Sequence, residues 1–164
     1  MSFSLLADIS VEKITDIPPS FFNEKGIKFL MIDLDNTLAA YDEHSPADDV
    51  KKWIADIKEI GITPAIVSNS SRLMRVCAFA ENFDVNSVAR AAKPGIFNIL
   101  HLIETSGFTA AESALIGDQI FTDVLAANRA GIMSVMTKPR KFTNIFLYLR
   151  YLAEKPFRYF AKQK

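Results

Sequence analysis

The chain has 164 residues, 49% of them hydrophobic, and a formal net charge of zero. That length and composition describe one globular domain with a proper core and exclude a disordered chain. A single cysteine, Cys77, excludes an intramolecular disulfide and suits a reducing compartment, so a cytoplasmic location is expected.

Residues 1–28 form a lead-in. Its opening, Met1 to Asp8, has no basic region and no long apolar stretch, so no signal peptide is expected. Ile9, Val11, Ile14 and Ile17 give some apolar periodicity before Pro18 and Pro19 break any helix. A short helical turn is expected over 20–26. Phe29 to Ile32 then make an apolar run with the character of a buried parallel strand. The run stops at Asp33 and Asp35, which point to the same side of an extended chain. Two carboxylates so close repel each other unless a cation or a shared proton offsets the cost.

Ser45 is expected to cap the next helix, with Pro46 at its first position and Asp48 and Asp49 in its first turn. Trp53, Ile54, Ile57 and Ile60 make its inner stripe, and Gly61 ends it. Residues 62–67 read as the second core strand, which ends in Ser68-Asn69-Ser70-Ser71. A helix follows to about Glu81. Within it Cys77 lies among Met74, Val76, Ala78 and Phe79, which suggests a packed thiol, and the body phenylalanines are expected in the core. A short strand over 85–88 precedes Lys93-Pro94, which opens a helix with Ile96, Ile99, Leu100 and Ile103 facing inward. Thr109 to Glu112 is a capping-box pattern before a strand over 113–116. That strand ends in Gly117-Asp118, with Asp123 five residues on. A helix over 122–130 and a strand over 132–136 complete the alternation. The class is α/β, a Rossmann-like doubly wound parallel sheet with its core in 27–137.

Strand ends line up along one rim of such a sheet, where ligands bind. The rim would collect Asp33 and Asp35, then Ser68 and Asn69, then Lys93, then Asp118 and Asp123. Hard carboxylate oxygens suit Mg²⁺. A hydroxyl, an amide and an ammonium at a helix start suit a phosphate.

These residues carry a resemblance. Asp33-Leu-Asp-Asn-Thr-Leu38, Ser68 after an apolar strand, Lys93-Pro94 and Gly117-Asp118 with Asp123 resemble the four motifs of haloacid dehalogenase-like (HAD) phosphatases. The Val67-Ser-Asn69 form and the block from Gly117 to Val124 are similar to the subclass IIIA, YqeG-like branch, which is related to phosphatidylglycerophosphate phosphatases. The resemblance implies that Asp33 attacks phosphorus and forms an aspartyl-phosphate. It makes Asp35 the general acid and base, with its backbone carbonyl on the metal beside Asp33 and Asp118. It assigns Ser68, Asn69 and Lys93 to the phosphoryl oxygens and Asp123 to a supporting role, with Mg²⁺ as cofactor. The intervals 38–68 and 68–93 are too short for a cap domain, so an open site is expected. A phosphorelay receiver would also gather aspartates around a metal, but it needs its acceptor after the third strand, where Val88 and Ala89 stand.

The chain divides at residue 137 into this domain and a tail. Residues 138–164 carry eight basic groups against Glu154 alone, a net of +7, which leaves −7 in 1–137. Phe142, Ile145, Phe146, Leu149, Leu152 and Ala153 fall at helical spacing, with Tyr148 and Tyr151 alongside, and Pro156 is expected to divide them from Phe157 to Phe160. Basic and aromatic residues interleaved in this way suit a membrane interface, each basic group contributing about 1 kcal/mol near an anionic surface. A terminal helix docked on its own domain is the first expectation for such a stripe, membrane contact follows closely, and nucleic-acid or ribosomal contact is least favoured. The expected function is hydrolysis of a phosphomonoester on a large carrier, with phosphatidylglycerophosphate at the inner membrane face first. A soluble or protein phosphomonoester, or a non-catalytic membrane or ribosome adaptor, stands as the alternative.

Overall fold

The structure, a computed structural model, describes residues 4–143 and 145–161. Lys162 and Lys164, counted above in the tail's charge, lie outside the described residues. Six parallel strands form one sheet: β1 (Ile9–Ser10), β2 (Phe29–Ile32), β3 (Thr63–Val67), β4 (Asn86–Val88), β5 (Ser113–Gly117) and β6 (Met133–Met136), in the order β1-β6-β5-β2-β3-β4. Strand β2 lies between β5 and β3, in register with both from Phe29 to Ile32. The chain therefore leaves the middle of the sheet in both directions, which opens a crevice beyond the carboxyl end of β2.

Every residue of β2 is buried. Leu30 and Ile32 pack under one set of helices, and Phe29 and Met31 under the other, as a two-residue period requires. The first set is α1 (Ser20–Glu24), α2 (Asp48–Glu59) and α3 (Leu73–Phe83); the second is α4 (Phe97–Thr105) and α5 (Leu125–Ala130). Only α2 joins β2 to β3, and only α3 joins β3 to β4, so nothing caps the crevice there. Edge strand β1, two residues long, is too short for a sequence pattern and went unexpected. It forms because Asp8 grips the Ser134 amide and hydroxyl, both at 2.9 Å.

Several boundaries shift. Helix α2 begins at Asp48 with Ala47 as its cap, so Ser45 and Pro46 stay outside it, and Ile60 lies exposed beyond its end. The helix expected to open at Pro94 starts at Phe97, because Lys93 is held in a loop by Asn69 and cannot join a helix. Within α4, Ile99 and Ile103 are buried but Leu100 is not, and Phe97 is 79% exposed rather than core. Cys77 is exposed, since Val76, Phe79, Ala80 and Phe83 occupy the inner face of α3. Residues 120–124 form a wide π turn before α5.

The tail folds as one helix, α6 (Ile145–Phe160), and Pro156 sits inside it instead of ending it. A proline there removes one backbone bond. The last turn is held regardless by Arg158 and by the buried Ala161. Among the described residues no helix is long and apolar enough to cross a membrane.

Candidate active site

The turn after β2 keeps Asp33 and Asp35 at the crevice floor. It is made tight by Asn36, whose φ of 68° suits asparagine better than most residues. The Asn36 amide donates to the Ala39 carbonyl at 2.7 Å. Three loops complete the floor. Ser68, after β3, is buried and accepts the Ser70 amide at 3.0 Å. Asn69 uses both ends of its side chain on Lys93, donating to its carbonyl and accepting from its amide, each at 2.8 Å. Asn69 thus aims the lysine, beyond the phosphate contact expected of it. The loop it pins is strained, with φ of 51° at Arg90 and 59° at Ala92.

Lys93 is buried and its ammonium donates to Asp33 Oδ1 and the Val67 carbonyl, both at 2.7 Å, while Asp123 Oδ1 lies 2.6 Å away. Asp123 reaches it because Gly117 has no side chain: a Cβ there would collide with the Asp123 carboxylate. Carboxylate oxygens of Asp33, Asp118 and Asp123 lie within 4.8 Å of one another. Asp33 Oδ2 and Asp118 Oδ1 are buried without a hydrogen-bond partner. Such orphaned oxygens are costly, and a hard divalent cation is the ligand that satisfies them. The donor set therefore fits a metal. With Asp123 Oδ1 and Asp33 Oδ1 taken by Lys93, Asp33 Oδ2 and Asp118 Oδ1 are the oxygens that would hold it.

Asp35 points elsewhere. Its carboxylate pairs with Arg75 of α3 at 3.2 Å, and Arg75 also donates to the Glu43 and Ala40 carbonyls at 2.7 and 2.8 Å. Arg75, forty residues from its partner, and Tyr41, which lines the cleft with Asp33 and Asp35, are not among the residues that the sequence pattern points to. That cleft is open and measures about 420 Å³.

Burial raises Asp33 to about 7, with the Lys93 charge opposing and Asp123 and Asp35 adding to the rise. Burial, then Asp33 and Asp123, holds Asp118 well above the carboxylate range. For Lys93 burial disfavours the ammonium, but Asp123 and Asp33 outweigh it and its pKa is raised. Tyr41 is pushed up to about 12 by burial and then by Asp35, Asp33 and Asp118, so it stays a neutral donor. The folded chain thus keeps protons on Asp33 and Asp118 at pH values where the unfolded chain has lost them. Without metal, stability is therefore expected to fall as pH rises between 3.8 and about 7. A cation that binds the ionised pair offsets this loss. In thermal melts, Mg²⁺ should raise Tm by several degrees at about pH 8 and far less at about pH 5. Equal shifts at both would contradict the assignment.

The tail reaches this site too. Glu154 of α6 is buried, accepts the Ile120 amide at 3.0 Å and pairs with Arg158 at 2.8 Å. Arg158 also donates to the Thr137 carbonyl and to the Asp118 carbonyl. The helix is thereby keyed to the loop that carries Asp118. An i,i+4 Glu–Arg pair amid apolar residues was the sequence signal for it.

A parallel α/β sheet thus has a central strand that delivers Asp33 to a buried lysine and to a cluster of buried carboxylates that fits a metal. Residues 8–131 match the model of the haloacid dehalogenase-like hydrolases, and the chain belongs to that family, among its phosphatases. It is 32% identical over 134 residues to the probable phosphatase YqeG of Bacillus subtilis, covering 82% of this chain and 77% of that one. It is 28% identical over 147 residues to phosphatidylglycerophosphate phosphatase 1, chloroplastic/mitochondrial, of Arabidopsis thaliana. There it covers 82% of this chain but only 41% of the relative. Among solved structures, the 3-deoxy-D-manno-octulosonate 8-phosphate phosphatase of Moraxella catarrhalis, a complex with magnesium and phosphate ions, shares the fold. Its TM-score is 0.54 at 17% identity over 88% of this chain and 97% of that one.

Proposed function

We propose that the chain is a Mg²⁺-dependent phosphomonoesterase that works through an aspartyl-phosphate on Asp33 and takes phosphatidylglycerophosphate at a membrane surface. The observation that carries the chemistry is Asp33 itself. One oxygen is fixed by Lys93 and the other is free of partners at the floor of an open cleft. That geometry leaves one oxygen to attack phosphorus while Lys93 neutralises charge on the transferring group. Bound Mg²⁺ would neutralise the phosphoryl oxygens and the carboxylates of Asp33 and Asp118. Ser68, which lines the same cleft, would donate its hydroxyl to a phosphoryl oxygen. Asp35, held by Arg75, would protonate the leaving oxygen and then take a proton from the hydrolytic water.

The lipid assignment rests on the tail and on the Arabidopsis relative. On α6 the pair Glu154 and Arg158 faces the domain together with Phe157, which packs on Phe121, while a second apolar face looks out. Ile145, Phe146, Leu149, Leu152, Tyr159 and Phe160 are all exposed, Phe146 at 79% and Tyr159 at 82%. An exposed apolar face of this extent suits an apolar medium, and basic residues along the tail add attraction to anionic lipid. The test is phosphate release with Mg²⁺ from phosphatidylglycerophosphate in mixed micelles, beside soluble phosphomonoesters. Lipid turnover should be at least roughly tenfold more efficient, and Leu149→Glu with Phe160→Glu should lose that advantage together with vesicle binding. Turnover of soluble esters alone would overturn the lipid substrate but keep the phosphatase.

A further inference from the structure

The cleft floor and its mouth differ in charge. On the floor every cation is engaged: Lys93 with Asp33 and Asp123, Arg75 with Asp35. At the mouth stand two more arginines, Arg72 at the start of α3 and Arg150 from α6, lining the same cleft as Asp33 and Ser68. Arg72 donates to the Tyr41 carbonyl at 3.3 Å. Among the described residues neither arginine has a carboxylate within salt-bridge distance. The Arg150 charge is felt on the floor, where it tempers both Asp118 and Tyr41. Arg150 cannot drift freely either, since one helical turn on Glu154 locks α6 to the Asp118 loop.

A phosphoryl group on the floor is already matched by Lys93 and the candidate metal. Two unpaired guanidinium groups above it exceed that need. The cleft, at about 420 Å³, also holds far more than a phosphoryl group, which occupies the space of a few waters of roughly 30 Å³ each. Guanidinium forks bind phosphate oxygens two at a time, unlike a point charge. From this juxtaposition we propose that Arg150, together with Arg72 of the same cleft, forms a second anion subsite that binds a phosphodiester in the same substrate as the scissile phosphomonoester. The proposal rests on the phosphatase reading and narrows it to substrates with two phosphates a short linker apart. Arg150 then ties specificity to the tail: the helix that turns its apolar face outward also carries the cation that reads the headgroup.

The test uses the full chain with Mg²⁺ and two soluble substrates, so that no lipid surface contributes. One is glycerophosphoglycerol phosphate, the deacylated headgroup, and the other is glycerol phosphate, which lacks the diester. The wild type should prefer the headgroup in kcat/KM, chiefly through KM. Arg150→Gln should cut that preference roughly tenfold to a hundredfold, and Arg150→Lys should keep a substantial part of it. A merely structural role would lower both rates together and leave the ratio intact, and that result would overturn the subsite. Should no phosphomonoester be hydrolysed, the phosphatase reading fails by itself and calorimetry decides the subsite. Headgroup affinity for the Asp33→Asn chain should drop at least tenfold when Arg150→Gln is added. Equal affinities would refute it.

Discussion

Asp33→Asn should abolish phosphate release, lowering kcat by roughly 10⁴-fold or more, as removal of a nucleophile does in enzymes with covalent intermediates. The fold should survive. Asparagine keeps an oxygen for the Lys93 ammonium, which now bonds Asp33 Oδ1 at 2.7 Å. It also removes a carboxyl that burial raises to about 7, so the metal-free variant should melt at or above the wild type near pH 8. Loss of activity with stability kept or raised is the signature of a group retained for chemistry. Asp35→Asn should behave differently. It removes an acid rather than a nucleophile, worth about 10²–10⁴-fold, and should cost least with a good leaving group such as p-nitrophenol. If Asp33→Asn retained more than a few per cent of activity, the nucleophile would have to be sought elsewhere.

The second large effect is expected far from the chemistry, at Glu154. Its carboxylate is 1% exposed and joins the Ile120 amide to Arg158. Glu154→Ala would leave the largely covered Arg158 without its carboxylate and the Ile120 amide without its acceptor at once, a change that typically costs roughly 3–5 kcal/mol. Because Arg158 also bonds the Asp118 carbonyl, the damage should reach the metal site. Weaker Mg²⁺ dependence of Tm, lower phosphatase activity and faster proteolysis within 138–161 are expected together, measured by thermal melts and limited digestion. Wild-type stability and activity in Glu154→Ala would mean that α6 is a passenger on the domain.

The site was legible in the sequence to the extent that chain-local signals set it. Apolar runs ending in Asp33, in Ser68 and in Gly117-Asp118 fix which residues reach the rim, because parallel strands must present their carboxyl ends together. The structure brings Asp33, Ser68, Lys93, Asp118 and Asp123 to one floor, as the spacing predicts. What stayed hidden depends on distant pairing. Arg75 finds Asp35 only through the packing of α3 beside the turn, and nothing at position 75 marks it. Pro94 suggests a helix start at Lys93, but the loop there is shaped by Asn69, twenty-four residues earlier. The tail's spacing correctly suggested a helix, yet periodicity cannot say which face turns inward. The pair Glu154 and Arg158 settles that by meeting the unsatisfied groups after β5, and so leaves the apolar stripe outside.

The central claim is a phosphoryl group carried covalently by Asp33, and acid quenching of a reaction with ³²P-labelled substrate tests it most directly. With Mg²⁺ present, label should appear within the first turnover on the peptide that contains Asp33, be released by hydroxylamine, and be absent in Asp33→Asn. Turnover at the wild-type rate with no label on any peptide, or with label on a residue other than Asp33, would contradict the account.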